Sequence, residues 1–195
     1  MSSIVIKTPE EIELMRESGR LLASVFAMLD DFIKPGVSTL AINDKVEDYI
    51  VNTLQSRPAS KGQYGFQYVL NTSLNEVVCH GVPKADELVK DKDIINVDIT
   101  LEKNGFIADS SKMYVMPEAS PLARKLVKTT YDAMWEGIQQ VKPGATLGIS
   151  VQLFSIMLNH AATAWCASIA VTVSAVRCMK PRRCCTMVCA VKERN

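Results

Sequence analysis

Asp98 and Asp109 lie eleven residues apart on either side of a polar turn, and two carboxylates so placed can hold a cation. Residues 94–101 and 106–115 are β-rich runs, and residues 102–105 between them carry an Asn-Gly pair, a strong hairpin signal. Pairing Leu101 with Phe106 puts Asp98 directly opposite Asp109, with Cβ atoms roughly 5 Å apart. Like charges in that arrangement destabilise a sheet and should raise one of the two pKa values. A hard divalent ion, which takes carboxylate oxygens, removes the conflict. The alternative is a solvated hairpin face with no ligand. The apolar run Ile94-Ile95-Asn96-Val97 before Asp98 favours the cation, because it marks a buried strand and buried carboxylates need partners.

Helices must flank this hairpin. Thr8-Pro9-Glu10-Glu11 reads as a helix start: Thr8 caps, Pro9 suits the first turn, and Glu11 completes a capping box. Ile12, Met15, Leu22, Val25, Phe26 and Leu29 follow at helical spacing, and Lys34-Pro35-Gly36 stops the helix. A second helix is expected from about Thr39 to Leu54. A third opens at Ser120-Pro121, with Leu122, Leu126, Val127, Met134 and Ile138 facing the core. Residues 33–40 are echoed by residues 141–148, and each copy follows a helix. That repeat suggests two similar halves, the second beginning near residue 120.

The 195 residues suffice for one domain with a real core, and a net charge of +1 gives no global signal for nucleic acid. The average hides an asymmetry. Residues 1–148 hold 20 of the 21 acids and 16 of the 22 bases; residues 149–195 hold six bases and one acid. Five of the six cysteines also fall after 148, and residues 149–176 carry no charge. The N-terminus lacks the apolar stretch of a signal peptide, and with Cys79 alone in the first 148 residues the compartment reads as cytoplasmic.

His80, in Asn75-Glu76-Val77-Val78-Cys79-His80-Gly81-Val82-Pro83, would by itself suggest a structural histidine. Together with Asn96-Val97-Asp98 and Asp109-Ser110-Ser111-Lys112-Met113, the segment resembles the type I methionine aminopeptidases. The resemblance covers residues 4–148, including the Lys-Pro-Gly turns. It implies the pita-bread α/β (α+β) fold, two pseudo-symmetric halves around a central site. It implies two divalent metal ions (Co, Mn, Fe or Zn) held by two Asp, one His and two Glu. Asp98 resembles the Asp that binds one metal, and Asp109 the Asp that bridges both. His80 resembles the catalytic, substrate-facing histidine, and Phe66 an aromatic of the methionine pocket. Gln63 and Ser110 depart from the Tyr and Thr often found there. The implied metals would acidify a water between them and clamp the peptide's amino end and carbonyl. The implied partners are nascent polypeptide N-termini near the ribosome, with no nucleic acid or membrane bound, by a monomer that excises the initiator methionine.

After residue 148 the resemblance stops. Residues 149–195 contain one His (His160) and one Glu (Glu193), neither in a family motif, so three of five implied ligands lack a counterpart. Codons shifted by one base account for this. From Gly148/Ile149 the shifted frame allows Asp-Ile-Gly-Ala-Ala-Ile-Gln. From Ala162/Thr163 it allows Tyr-Ser-Val-Val-Arg-Glu-Tyr-Cys-Gly-His-Gly-Ile-Gly-Arg, and from Cys178/Met179 His-Glu-Ala-Pro-Gln-Val-Leu-His-Tyr-Gly. These strings resemble the family's continuation, including its Gly-His-Gly ligand motif. The expected organisation is therefore residues 1–148 as the N-terminal part of the domain and residues 149–195 as an out-of-frame tail. Residues 1–148 would then expose the face meant for a second half. Two other readings of the tail account for less. A membrane span over 149–176 is interrupted by Gln152, Asn159 and His160. A zinc site at Cys178, Cys184, Cys185 and Cys189 lacks the usual paired spacing.

Overall fold

The computed structural model describes residues 6–144; the out-of-frame tail expected after 148, and the membrane-span and zinc-site alternatives weighed for it, lie outside them. Helix α1 spans Pro9–Phe32 and opens on the expected capping box: Glu11 N–H donates to Thr8 Oγ1 at 3.2 Å and Thr8 N–H to Glu11 Oε2 at 2.9 Å. Helix α2 spans Thr39–Asp48, capped by Ser38, and widens into a π-helical turn over Tyr49–Thr53. Strands follow: β1 (Arg57–Pro58), β2 (Leu70–Leu74), β3 (Ile94–Lys103) and β4 (Phe106–Val115). Helix α3 spans Pro121–Gln139, capped by Ser120.

All strand pairings are antiparallel, and β3 is central. β4 lines one edge of β3, while β2 and the short β1 lie end to end along the other. The alternation of β3 sorts its side chains by chemistry. Ile95, Val97, Ile99 and Leu101 are fully buried and join Leu22, Val25, Leu29, Ile42 and Val46 in one core. Asn96, Asp98 and Thr100 point to the opposite, polar face, shared by Asn71 and Ser73 of β2 and Asp109 and Ser111 of β4. A one-residue slip would exchange the two faces, so the apolar set fixes which face bears the carboxylates.

The hairpin register differs from the expectation. Lys103, not Leu101, pairs with Phe106, and the loop is the two residues Asn104 and Gly105, with φ +54° and +82°. Positive φ at both positions marks the type I′ turn whose twist suits a tight hairpin. Glu102 and Lys103 read as turn because they are polar, but both have strand partners. Glu102 ion-pairs with Arg57 across the sheet, and Lys103 Nζ donates to Leu54 O at 3.1 Å and Gln55 O at 2.9 Å. The shift is two residues, so the carboxylates stay on one face. They are diagonal neighbours, Asp98 opposite Ser111 and Asp109 opposite Thr100, instead of facing each other directly.

The helix faces also need revision. In α1 the buried residues are Ser18, Leu22, Val25 and Leu29, whereas Ile12 is exposed. Ser18 replaces an apolar contact with hydrogen bonds: its hydroxyl reaches Phe106 O at 3.0 Å and Leu14 O at 3.2 Å, fastening the hairpin end to the helix. In α3 Leu122, Met134 and Ile138 are exposed with Tyr131 and Trp135, and the buried positions are Ala133 and Gly137. The apolar face of the sheet is covered by α1 and α2, and the apolar stripe of α3 is exposed among the described residues. The echoed turns agree as far as they are described: Gly36 and Gly144, each after a helix, have φ +92° and +85°. Among the described residues no helix is long and apolar enough to cross a membrane.

Candidate metal centre

The polar face of β3 forms one wall of a cleft of about 510 Å³. Asp98, Thr100, Asp109, His80 and Asn71 line it, and the loop carrying Gln63, Tyr64, Gly65 and Phe66 closes its other side. The four residues singled out from sequence, Asp98, Asp109, His80 and Phe66, therefore come together in one cavity. Diagonal cross-strand neighbours have Cβ atoms at most about 7–8 Å apart, close enough for two carboxylates to reach one divalent ion.

Each side chain has an identifiable support. Asp98 sits mid-strand in β3, flanked by β2 and β4, and is half-buried. Asp109 stands on β4, exposed as a residue but with its carboxyl shielded by protein atoms, and Thr100 donates to its Oδ1 at 3.1 Å. Protein atoms around Asp109 withdraw water and raise its carboxyl pKa above the usual 3.8; the Thr100 hydrogen bond and the charge of nearby His80 act in the opposite sense. A carboxyl made uncomfortable by desolvation is one that a cation would relieve.

His80 is presented by a backbone in the left-handed region, φ +56°. The next residue explains why the chain runs there. Gly81 lies against β2, its carbonyl accepting from Thr72 N–H at 2.9 Å and its N–H donating to Ser73 Oγ at 3.2 Å. A Cβ on Gly81 would fall 1.9 Å from Thr72 O, so this close approach requires glycine.

The loop over the cleft is tied at its base. Ala59 N–H donates to Thr100 O at 2.8 Å, Gly62 N–H to Phe66 O at 2.8 Å, and Lys61 ion-pairs with Glu47. Phe66 packs edge-on to Tyr68 at 5.7 Å between ring centroids. Tyr64 is 76% exposed and holds φ +49°, a backbone conformation that residues other than glycine rarely take.

Thr100 and Asn71 were not anticipated. Thr100 was within reach, since counting back from a two-residue Asn-Gly turn places it opposite Asp109. Asn71 enters through the β2–β3 register, for which no local signal exists. As to metal, the carboxylates and the desolvated Asp109 suit a hard cation, yet among the described residues no cluster of three or more His, Cys, Asp or Glu could hold one. The described residues thus fit part of a coordination shell.

A layered helix-and-antiparallel-sheet fold with two carboxylates lining one cleft is compatible with a divalent-metal centre. Comparison with known proteins narrows this. The model of metallopeptidase family M24 matches residues 13–176, running past Gly148 into the uncharged stretch. The chain belongs to metallopeptidase family M24. The methionine aminopeptidase of Escherichia coli (strain K12) is 41% identical over 155 residues, 78% of this chain and 59% of that protein. The crystal structure of methionine aminopeptidase from Rickettsia prowazekii superposes with a TM-score of 0.78 at 35% identity, covering 81% of this chain and 63% of that one. The Xaa-Pro dipeptidase from Bacillus anthracis, at 19% identity and a TM-score of 0.69 over 80% of this chain and 42% of that one, shares the fold. The architecture is thus the pita-bread fold, and the chain spans about three fifths of the length of these methionine aminopeptidases.

Proposed function

We propose that this site is that of a metal-dependent aminopeptidase which removes the initiator methionine from new polypeptides. The observation that carries the proposal is the convergence of Asp98, Asp109 and His80 on one cleft beside Phe66, in a chain whose relatives at 35–41% identity are methionine aminopeptidases. Asp98 and Asp109 would hold divalent metal. When bound, the metal would supply Lewis acidity at the scissile amide. His80 would face that amide and exchange a hydrogen bond with it. Phe66, backed by Tyr68, would give an apolar wall for the methionine side chain while the Gln63–Phe66 loop limits access of water. The substrates would be nascent N-termini near the ribosome, met in the cytoplasm by a monomer.

A specific observation favours a second reading for the 195-residue sequence as it stands. Its residues 149–195 contain one His (His160) and one Glu (Glu193), neither in a family motif, while a frame shifted by one base allows strings like the family's ligand motifs. On this reading the chain carries a half-site and is catalytically inactive; the gene, restored by one nucleotide near codon 148, encodes the enzyme. Nucleotide sequencing across codon 148 tests the frame: an extra base there supports the reading, and an intact frame with this same tail ends it. Substrate class is tested by offering the frame-restored protein Met-Ala and Ala-Pro peptides with Mn²⁺ or Co²⁺. Release of Met alone is expected; preference for the bond before proline would overturn the assignment.

A further inference from the structure

Thr100 offers two attachments from a single buried position on the central strand. It is 8% exposed and lies directly opposite Asp109. Its hydroxyl donates to Asp109 Oδ1 at 3.1 Å, and its carbonyl accepts from Ala59 N–H at 2.8 Å, at the base of the loop that closes the cleft. Asp109 itself stands on β4 and is exposed as a residue, although protein atoms shield its carboxyl, and an aspartate with no such hydrogen bond would sample several rotamers.

We infer that Thr100 is a positioning residue that holds the Asp109 carboxylate in the orientation required for a divalent cation, while its main chain sets the base of the loop above. The inference rests on the metal-binding reading of Asp109 and deepens it. The hydroxyl engages Oδ1 and leaves Oδ2 and the remaining lone pairs unused by it, so it orients the ligand without competing for every oxygen an ion would take. Partners of this outer kind typically change metal affinity by about 10–100-fold when removed. Valine at this position keeps the branched shape and the backbone bond to Ala59 but loses the hydroxyl; serine keeps the hydroxyl.

The experiment is a Mn²⁺ titration of the frame-restored protein, since the described residues of the 195-residue chain offer only part of a coordination shell; it is followed by the electron paramagnetic resonance signal of free ion, for wild type, D109N, T100V and T100S in that background. Melting temperatures are measured without metal. D109N is expected to lose the site, T100V to weaken Mn²⁺ binding about tenfold, and T100S to bind as wild type does. A merely structural Thr100 would change melting temperature and leave affinity alone. Wild-type affinity in T100V, or a T100S as weak as T100V, would overturn the inference while leaving the metal site intact. Equal binding by wild type and D109N would instead remove the metal-binding reading of Asp109, and this inference with it.

Discussion

Replacing Gly81 with alanine should unseat the segment that presents His80. The added Cβ would lie 1.9 Å from Thr72 O, 2.7 Å from Thr72 C and 3.0 Å from Ser73 Cα. All three are backbone atoms of a strand paired to β3, so they cannot swing aside as a flexible side chain would. The 79–82 segment must instead withdraw by more than about 1 Å, which strains or breaks two hydrogen bonds, Thr72 N–H to Gly81 O and Gly81 N–H to Ser73 Oγ. Overpacking of this kind costs about 1–3 kcal/mol, and each lost hydrogen bond costs about 0.5–1.5 kcal/mol. These contributions overlap, giving a destabilisation of about 2–4 kcal/mol, or roughly 5–15 °C in melting temperature for a chain of this size. Gly19 is the internal control: it sits exposed in the middle of α1 with nothing within 4 Å of an added Cβ. Gly19→Ala should therefore stabilise by up to about 1 kcal/mol through helix propensity. Thermal and urea unfolding of both variants reads the contrast. A Gly81→Ala protein as stable as wild type would refute the close approach to β2 and with it the placement of His80.

Further outcomes follow from other contacts. Asp109 has its pKa raised in the fold, so the native state holds that proton more tightly than the unfolded chain does. Its contribution to stability is present below the ordinary value of 3.8 and is lost as pH rises through the raised value. Metal-free Asp109→Asn should therefore gain in melting temperature over wild type as pH climbs from about 4, and a constant difference across pH would count against the desolvated carboxyl. Replacing Asn104, held at φ +54° in the hairpin turn, with alanine should cost about 1–2 kcal/mol; unchanged urea unfolding would argue against the two-residue loop. Ser18→Ala removes the hydroxyl that joins α1 to Phe106 O and should cost about 1 kcal/mol, visible as early amide exchange at the hairpin end.

Much of the site was legible because β3 states its own geometry. Ile95-Asn96-Val97-Asp98-Ile99-Thr100-Leu101 alternates strictly, and that pattern alone puts Asp98 on the face away from the core. The Asn-Gly pair located the hairpin correctly. Its register was misjudged because charged residues at a strand end resemble a turn until their partners, Arg57 for Glu102 and the carbonyls after α2 for Lys103, are known. Those partners are 45 to 49 residues away in sequence, and the contact between Ala59 and Thr100 is similarly remote. The burial of α3 was misjudged for a related reason. Helical periodicity identifies an apolar stripe but not what covers it, and here α1 and α2 occupy the face of the sheet. The approach of Gly81 to Thr72 left no trace beyond a glycine after a histidine.

The central claim is that Asp98 and Asp109 are part of a methionine aminopeptidase centre whose remaining ligands are written one base out of frame. It is tested most directly by measuring methionine release from a Met-Ala peptide, with Mn²⁺ or Co²⁺, by the 195-residue protein and by the product of the frame-restored gene side by side. Turnover is predicted only for the restored protein, and it should vanish on Asp109→Asn. Comparable metal-dependent release by the pure 195-residue protein, or none by a folded restored protein, would contradict the account.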